Sequence, residues 1–458
     1  MRPPITLHDT RSGKLQGLKP RDVGCVGIYA CGPTVYSRIH IGNARPFVIF
    51  SLMKRFLEHE GLAVKLVVNI TDVNDKIYAA AHAAGVPSER LAREMTDAYI
   101  ADTDALGIGR PDCEPLASET MAEIVAYIET LVERGHAYVV EYDEGAERRR
   151  DVLFRVRSDP GYGSLSHRHL DDMDQGEGVE GAGRKDDPLD FALWKAQKPG
   201  EDVAWDSPWG AGRPGWHIEC SAMAEGLLGV GFDIHGGGSD LVFPHHENEA
   251  AQTRTARGAE LAGLWVHNGM IQLTGEKMAK SAGNIALLHE VLERWGRETV
   301  LMYLLGGHYR QPLAFSEAVL EQARANVNRI REAGKRLAGG ASPKDLDPLR
   351  DRFFEALARD FNTPQALAVL NEWIREATSL KRDASGDSHL HEMLGVFGLD
   401  GLLDATEQAP AAVHELALQR ERARAERDFA AADRLRDQIA AAGWEVRDAA
   451  AGFELIPL

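Results

Sequence analysis

Residues 26–30 and 64–70 are short apolar runs with the character of buried strands. Segments of helical period follow them, at 46–61 and from 77 to 84. This alternation predicts a parallel sheet with crossover helices, an α/β fold. In such sheets ligands bind beyond the carboxyl ends of the strands. Cys31 falls just after the first run and Thr71-Asp72 just after the second, so the chemistry-bearing residues of this region share one address.

Two short motifs bracket the α/β region. His40-Ile41-Gly42-Asn43 stands where the first crossover helix should begin, and Lys277-Met278-Ala279-Lys280-Ser281 lies in a polar loop more than two hundred residues later. Either alone is a weak signal, since most such tetrapeptides are ordinary turns and most such loops are solvated basic loops. Together, in this order, they suggest one ATP site built from both ends. A His at a helix N-terminus can meet a triphosphate where unpaired backbone N–H groups favour anions. Two lysines on a loop can neutralise charge that develops as pyrophosphate leaves. The chemistry that fits is nucleotidyl transfer, in which a carboxylate attacks the α-phosphate of ATP.

At 458 residues the chain is too long for one ordinary domain. The first half of the catalytic domain is expected over 1–134 and its second half over 208–258. Between them 135–207, rich in Asp, Glu, Gly and Arg, reads as an insertion of short strands and loops, with Asp190-Phe191-Ala192-Leu193-Trp194 packed inside it. Residues 259–316 carry the lysine loop. From Ser316 the chain turns strongly helical, giving a bundle over 317–404. A small α/β domain follows over 405–458, in which 413–443 is an alternating-charge helical segment ending at Gly443, and Trp444-Glu445-Val446 is strand-like.

A hydrophobic fraction of 44% and a charged fraction of 27% are those of a soluble globular protein. There is no apolar run long enough to span a membrane, and Met1-Arg2-Pro3-Pro4 lacks the apolar core of a signal peptide. Four cysteines in a chain this long do not make a disulfide framework, and a reducing, cytoplasmic location is expected. The net charge of −18 argues against nonspecific coating of nucleic acid, although a local basic surface could still hold an RNA substrate.

Four residues have metal-ligand chemistry: Cys31, Cys220 at the end of Gly215-Trp216-His217-Ile218-Glu219-Cys220, and His245 and Glu249 in Pro244-His245-His246-Glu247-Asn248-Glu249. Pro244 suits the first turn of a helix, on which His245 and Glu249, four apart, project from one face. Two thiolates, an imidazole and a carboxylate are all zinc ligands. His246 with Glu249 would also share a face, so the imidazole is left open. Cys25 and Cys113 are read as structural.

The ordered set Tyr29-Ala30-Cys31-Gly32-Pro33-Thr34-Val35-Tyr36, His40 to Asn43, Asn69-Ile70-Thr71-Asp72, the Cys220 segment, Phe232-Asp233-Ile234-His235-Gly236-Gly237-Gly238-Ser239-Asp240, the Glu249 segment and the lysine loop resembles the cysteinyl-tRNA synthetases over essentially the whole chain. Phe361-Asn362-Thr363-Pro364 and Phe429-Ala430-Ala431-Ala432-Asp433 are similar to that family's C-terminal half. The resemblance implies a class I aminoacyl-tRNA synthetase: a Rossmann-type parallel-sheet catalytic domain with an insertion, then a helical anticodon-binding bundle and a small C-terminal α/β domain. It implies one zinc per chain on Cys31, Cys220, His245 and Glu249, and a cysteine pocket lined by Thr71, Trp216 and His235. It sets His40, Asn43, Lys277 and Lys280 around the phosphates of ATP, with Mg²⁺, and Gly238 and Asp240 at the adenosine. The partners implied are L-cysteine, ATP and tRNA(Cys), with the chain a monomer.

Three departures stand out. Asn43 replaces the family's usual His, keeping a hydrogen-bond donor but no charge. Ala279 replaces the usual Ser. Residues 141–150 make a longer segment than in the shorter members. Two rival readings remain at this point: a ligase that passes activated cysteine to an amino sugar, and a non-catalytic, zinc-stabilised RNA-binding protein.

Overall fold

The computed structural model describes residues 4–144, 147–173, 182–273, 276–277, 286–379, 385–403, 410–449 and 452–457. Its centre is the expected parallel sheet. Strands run in the spatial order Ala262–Asn268, Phe232–Gly238, Cys25–Ala30, Ala63–Val68, all parallel. Parallel bridges from Val67 to Cys113 and from Ile70 to Leu116 continue the sheet at that edge. Val26, Ile28, Leu66, Ile234 and Val266 are buried, which is why these runs read as nearly unbroken apolar sequence. Strand Cys25–Ala30 has its successor on one side and the much later Phe232–Gly238 on the other. The order of the sheet therefore reverses between these two strands, and Cys31 and Gly238 lie at their carboxyl ends.

The first crossover helix runs Ile41–His59, starting earlier than its apolar period from Pro46 suggests. His40 and Asn43 set the start. The Asn43 backbone N–H donates to His40 Nδ1 (3.3 Å), and His40 N–H donates to Asn43 Oδ1 (3.2 Å), a capping box.

The insertion is an antiparallel sheet: Ala137–Glu144, Glu147–Phe154, Phe191–Ala196 and, past residue 207, Gly212–Pro214. Phe154, Phe191, Leu193 and Trp194 fill its core, and buried Asp190 accepts from Val156 N–H and Tyr138 O–H (2.9 and 2.8 Å). Residues 141–144 and 147–150 pair with one another at the outer edge of the sheet. There Glu141 faces Arg150 in register and forms ion pairs with Arg148 and Arg150.

Beyond the sheet, Ile271–Leu273 pairs with Leu313–Phe315 and with Glu276–Lys277. Helices Glu317–Gly334, Asp347–Ala358, Thr363–Ala377 and Ser388–Val396 form the helical region. They do not make a core of their own. One continuous apolar core runs from Ile28 and Phe50 through Leu301 and Tyr309 to Val327, Phe353, Trp373 and Met393. Asp360 ties the same junction: it accepts from Tyr309 O–H (2.7 Å), Arg310 Nε–H (2.8 Å) and His8 N–H (2.8 Å).

Residues 413–443, read as one helical segment, form two helices, Ala411–Ala425 and Phe429–Ala441. The break comes where Arg427 takes a left-handed φ of 61° and Asp428 caps the next helix by accepting from Ala431 N–H. Strands Trp444–Ala449 and Gly452–Pro457 complete this unit around Val413, Ala417, Ile439 and Trp444. Among the described residues no helix is long and apolar enough to cross a membrane.

Candidate functional site

Three segments distant in sequence converge at the carboxyl end of strand Cys25–Ala30. Cys31 leaves that strand. Cys220 sits on helix Trp216–Leu228, and Glu249 in the first turn of helix Glu247–Arg257. Pro244 does not open a regular helix: the turn Val242–His246 is kinked, with Phe243 extended (φ −139°, ψ 134°). His245 nevertheless meets Glu249. Its Nε2 is 3.0 Å from Glu249 Oε1 and 3.6 Å from Cys31 Sγ, and Cys31 Sγ is 3.6 Å from Glu249 Oε1. All four side chains are buried, and their ligating atoms lie within 4.8 Å of one another.

The imidazole left open by the sequence now has two different environments. His246 Nε2 is also close to Cys31 Sγ (3.3 Å), but it stands 3.9 Å from Glu249 Oε1, and its Nδ1 is 2.7 Å from His267 Nε2. A second grouping, Cys31, His235, His246 and Glu249, is equally compact. Only the grouping with His245 takes in both thiols.

Burial dominates the electrostatics. It pushes the Cys31 thiol well above its ordinary value, with further upward push from Cys220 and Glu249, and it pushes Cys220 and Glu249 up as well. It also drives His245 well down, helped by His217 and His235. A neutral imidazole is ready to ligate, whereas thiols in such a place lose their protons only to a cation. Two sulfurs, one nitrogen and one oxygen fit zinc.

His217 is the site residue that the sequence reading missed. Its Nδ1 is 2.9 Å from His245 Nδ1, so it orients the ring whose Nε2 faces Cys31. The available signal was its position in the first turn of the helix that carries Trp216 and Cys220. The Trp216 ring stacks on His245 (centroids 4.1 Å apart, 18° between planes).

A cavity of about 340 Å³ opens beside the cluster; its lining includes Cys31, Trp216, His40, Asn43, Gly238 and Asp240. Six of the predicted residues thus share one wall system. Gly42, also on that wall, lies close to the His40 ring: a Cβ there would sit 2.8 Å from it, so the ring would have to shift. Thr71 and His235 are fully buried and are not among the lining residues. Thr71 accepts from Asn69 Nδ2–H (3.2 Å). His235 bridges Glu249 Oε2 (2.9 Å, from Nε2) and the Tyr29 carbonyl (3.2 Å, from Nδ1). Lys277 is at the end of strand Glu276–Lys277, whose side chains lie outside the described residues, as does Lys280. The segment that follows the lysine loop returns to the cavity: Ile41 N–H donates to the Ala286 carbonyl and Leu288 N–H to that of Ile39, both at 3.0 Å.

Residues 18–325 match the family model of the tRNA synthetases class I (C) catalytic domain, and residues 352–399 that of the DALR domain. The cysteine–tRNA ligase of Symbiobacterium thermophilum is 42% identical, with 98% of each chain covered. That of Alkalilimnicola ehrlichii is 44% identical, again with 98% of each covered. Among solved structures, Mycobacterium tuberculosis methionyl-tRNA synthetase in complex with methionyl-adenylate is similar with a TM-score of 0.60 at 18% identity, covering 82% of this chain and 88% of that one. This likeness concerns the fold.

Proposed function

The chain belongs to the cysteine–tRNA ligases, class I aminoacyl-tRNA synthetases, and from that membership we propose how its own residues carry the reaction. The reaction is ATP-dependent joining of L-cysteine to tRNA(Cys). An oxygen of the cysteine carboxylate attacks the α-phosphorus, the bond to the bridging oxygen of pyrophosphate breaks, and cysteinyl-adenylate forms. A terminal ribose hydroxyl of the tRNA then takes the cysteinyl group, and AMP leaves. The first step asks for positioning and charge stabilisation more than for acid–base chemistry.

His40 and Asn43, at the capped N-terminus of helix Ile41–His59, meet the phosphates, and Lys277 and Lys280 neutralise the departing pyrophosphate. Gly238 and Asp240 hold the adenosine, and Trp216 bounds the cysteine. Thr71 and His235 act from behind the wall by fixing Asn69 and Glu249. Mg²⁺ travels with ATP as part of the substrate. Residues 317–404 carry the anticodon end of the tRNA, with 405–458 appended.

Cys31, Cys220, His245 and Glu249 would hold one zinc ion. Bound there, zinc supplies a soft Lewis acid that takes a substrate thiolate readily and a serine hydroxyl poorly. A hydrophobic pocket of similar size could not separate the two amino acids so well. The carboxylate of Glu249 also meets His235 (2.9 Å), so of the four it would be the ligand held most loosely.

The single observation that carries this reading is the double position of Cys31: its sulfur belongs to the thiol–imidazole–carboxylate cluster, and the same residue lines the cavity with His40 and Asp240. The test is ATP–pyrophosphate exchange driven by cysteine or by serine, with zinc content measured on the same protein. Cysteine-driven exchange with about one zinc per chain is expected. Cys220→Ser should weaken zinc and cysteine binding together. Full zinc retention in that variant removes Cys220 from the site, and absence of cysteine-driven exchange sinks the assignment.

A further inference from the structure

We propose that Arg38 is a further triphosphate-binding residue, held at the cavity by the buried carboxylate of Asp102. The proposal rests on reading the cavity as the ATP site. Arg38 stands two residues before His40 and lines the same cavity. Among the described residues lining it, Arg38 and Lys76 are the permanently cationic side chains, with Asp240 the carboxylate, and the Lys76 ammonium lies 5.7 Å over the Tyr36 ring. Asn43 is neutral, so this wall owes its positive charge to residues outside the His40-to-Asn43 motif.

Asp102, at the end of helix Ser88–Asp104, is 4% exposed, and its Oδ1 is 3.4 Å from a terminal nitrogen of Arg38, whose side chain is 39% exposed. An ion pair made only for the surface would have both partners in water. Here the carboxylate is inside and the cation reaches outward. Burial pushes the Asp102 carboxyl up, while Arg38 and then His289 pull it down. Asp102 Oδ2 accepts no hydrogen bond from the described atoms, and His289 Nδ1 is 4.0 Å from it. Asp102 therefore grips one terminal nitrogen of a guanidinium that has five N–H donors in a planar fork. The remaining donors suit a phosphate, which guanidinium binds in a bidentate manner.

The anchor also occupies a telling place. His289 opens the helix Leu288–Trp295 just after the lysine loop, and that segment is hydrogen-bonded to the His40 turn through Ile39 and Ile41. Arg38 is thus braced where the two halves of the ATP site are joined. As a positioning residue Asp102 fixes the direction of Arg38, and Arg38 itself contacts the substrate.

The experiment uses the full chain. Equilibrium binding of ATP with Mg²⁺, and exchange kinetics varied separately in ATP and cysteine, are measured for wild type, Arg38→Met, Arg38→Lys, Asp102→Asn and the double variant. Arg38→Met should weaken ATP binding and raise the KM for ATP about tenfold, with the KM for cysteine unchanged. Arg38→Lys should fall between, because a lysine keeps charge and loses the fork. Adding Asp102→Asn to Arg38→Met should cost ATP binding nothing more, since the two act in series. Folded Arg38→Met or Arg38→Lys protein with wild-type ATP binding overturns the proposal. So does a matched loss in the KM for cysteine, which would mark a structural role. If wild type itself binds no ATP, the reading of the cavity fails, and the proposal with it.

Discussion

Replacing His217 isolates the hydrogen bond that orients His245. His245 turns Nε2 toward Cys31 and Glu249; with zinc on Nε2 its Nδ1 would carry the proton and donate to His217 Nδ1, 2.9 Å away. Removing such a partner of a metal-ligating imidazole costs about 10–100-fold in metal affinity, or about 1.4–2.7 kcal/mol. His217 is also packed. It is 4% exposed, with its ring 5.3 Å from that of Phe191 and 5.2 Å from that of Trp216. Alanine would therefore add a packing loss on the order of 2 kcal/mol to global stability. Two further variants separate these effects. His217→Asn keeps an acceptor near the Nδ1 position, and His217→Phe keeps the volume without an acceptor. Zinc affinity, read by competition with a chromogenic chelator at fixed pH, should be within about threefold of wild type for the Asn variant and about 10–100-fold weaker for the Phe variant. Folded His217→Phe with wild-type zinc affinity would refute the reasoning, since it keeps the ring volume and lacks the nitrogen that meets His245.

Five other outcomes are expected. Lys280→Ala should slow cysteine-driven exchange by about a hundredfold or more while leaving cysteine binding nearly intact, checked by exchange rates and cysteine titration. Asn43→His should remain active, because an imidazole at that place still offers a donor to a phosphate. Asn43→Ala should lose one arm of the capping box, about 1 kcal/mol of helix stability, and raise the KM for ATP, measured by melting and exchange. Asp448, held down to about 2 by Arg420 and Arg424, contributes stability that is present above its unfolded value of about 4 and is lost as pH falls through about 2. With its side chain 54% exposed, water screens the pair, so Asp448→Asn should cost under about 1 kcal/mol at pH 7 and progressively less as pH falls toward and below about 2, followed by Trp444 fluorescence in urea. Finally, a chain ending at Ser316 should fail to melt cooperatively by circular dichroism, because it strips Val327, Phe353 and Trp373 from a core they share with Leu301 and Tyr309.

The sequence alone determined the parallel sheet, because strands buried on both faces must be apolar throughout and crossover helices must carry a period of their own. It also determined which residue types meet at the carboxyl ends. Cys31 and Gly238 are tied to strand ends by chain position, and His40 to a helix start by its capping chemistry. The four metal-ligand candidates were legible because their donor atoms are rare and their segments distinctive. Choosing between His245 and His246 was not possible from spacing, since three and four residues both return to one helix face. Only the kinked turn after Phe243 and the neighbours His217 and His267 gave the two rings different surroundings. Tertiary structure alone also separated the residues on the cavity wall from Thr71 and His235 behind it, because depth beneath a sheet end leaves no periodic trace in sequence. The same holds for the junction at Ser316. A change of period there reads as a boundary, yet apolar faces on both sides pack into one core, and which faces meet is decided by contacts far apart along the chain.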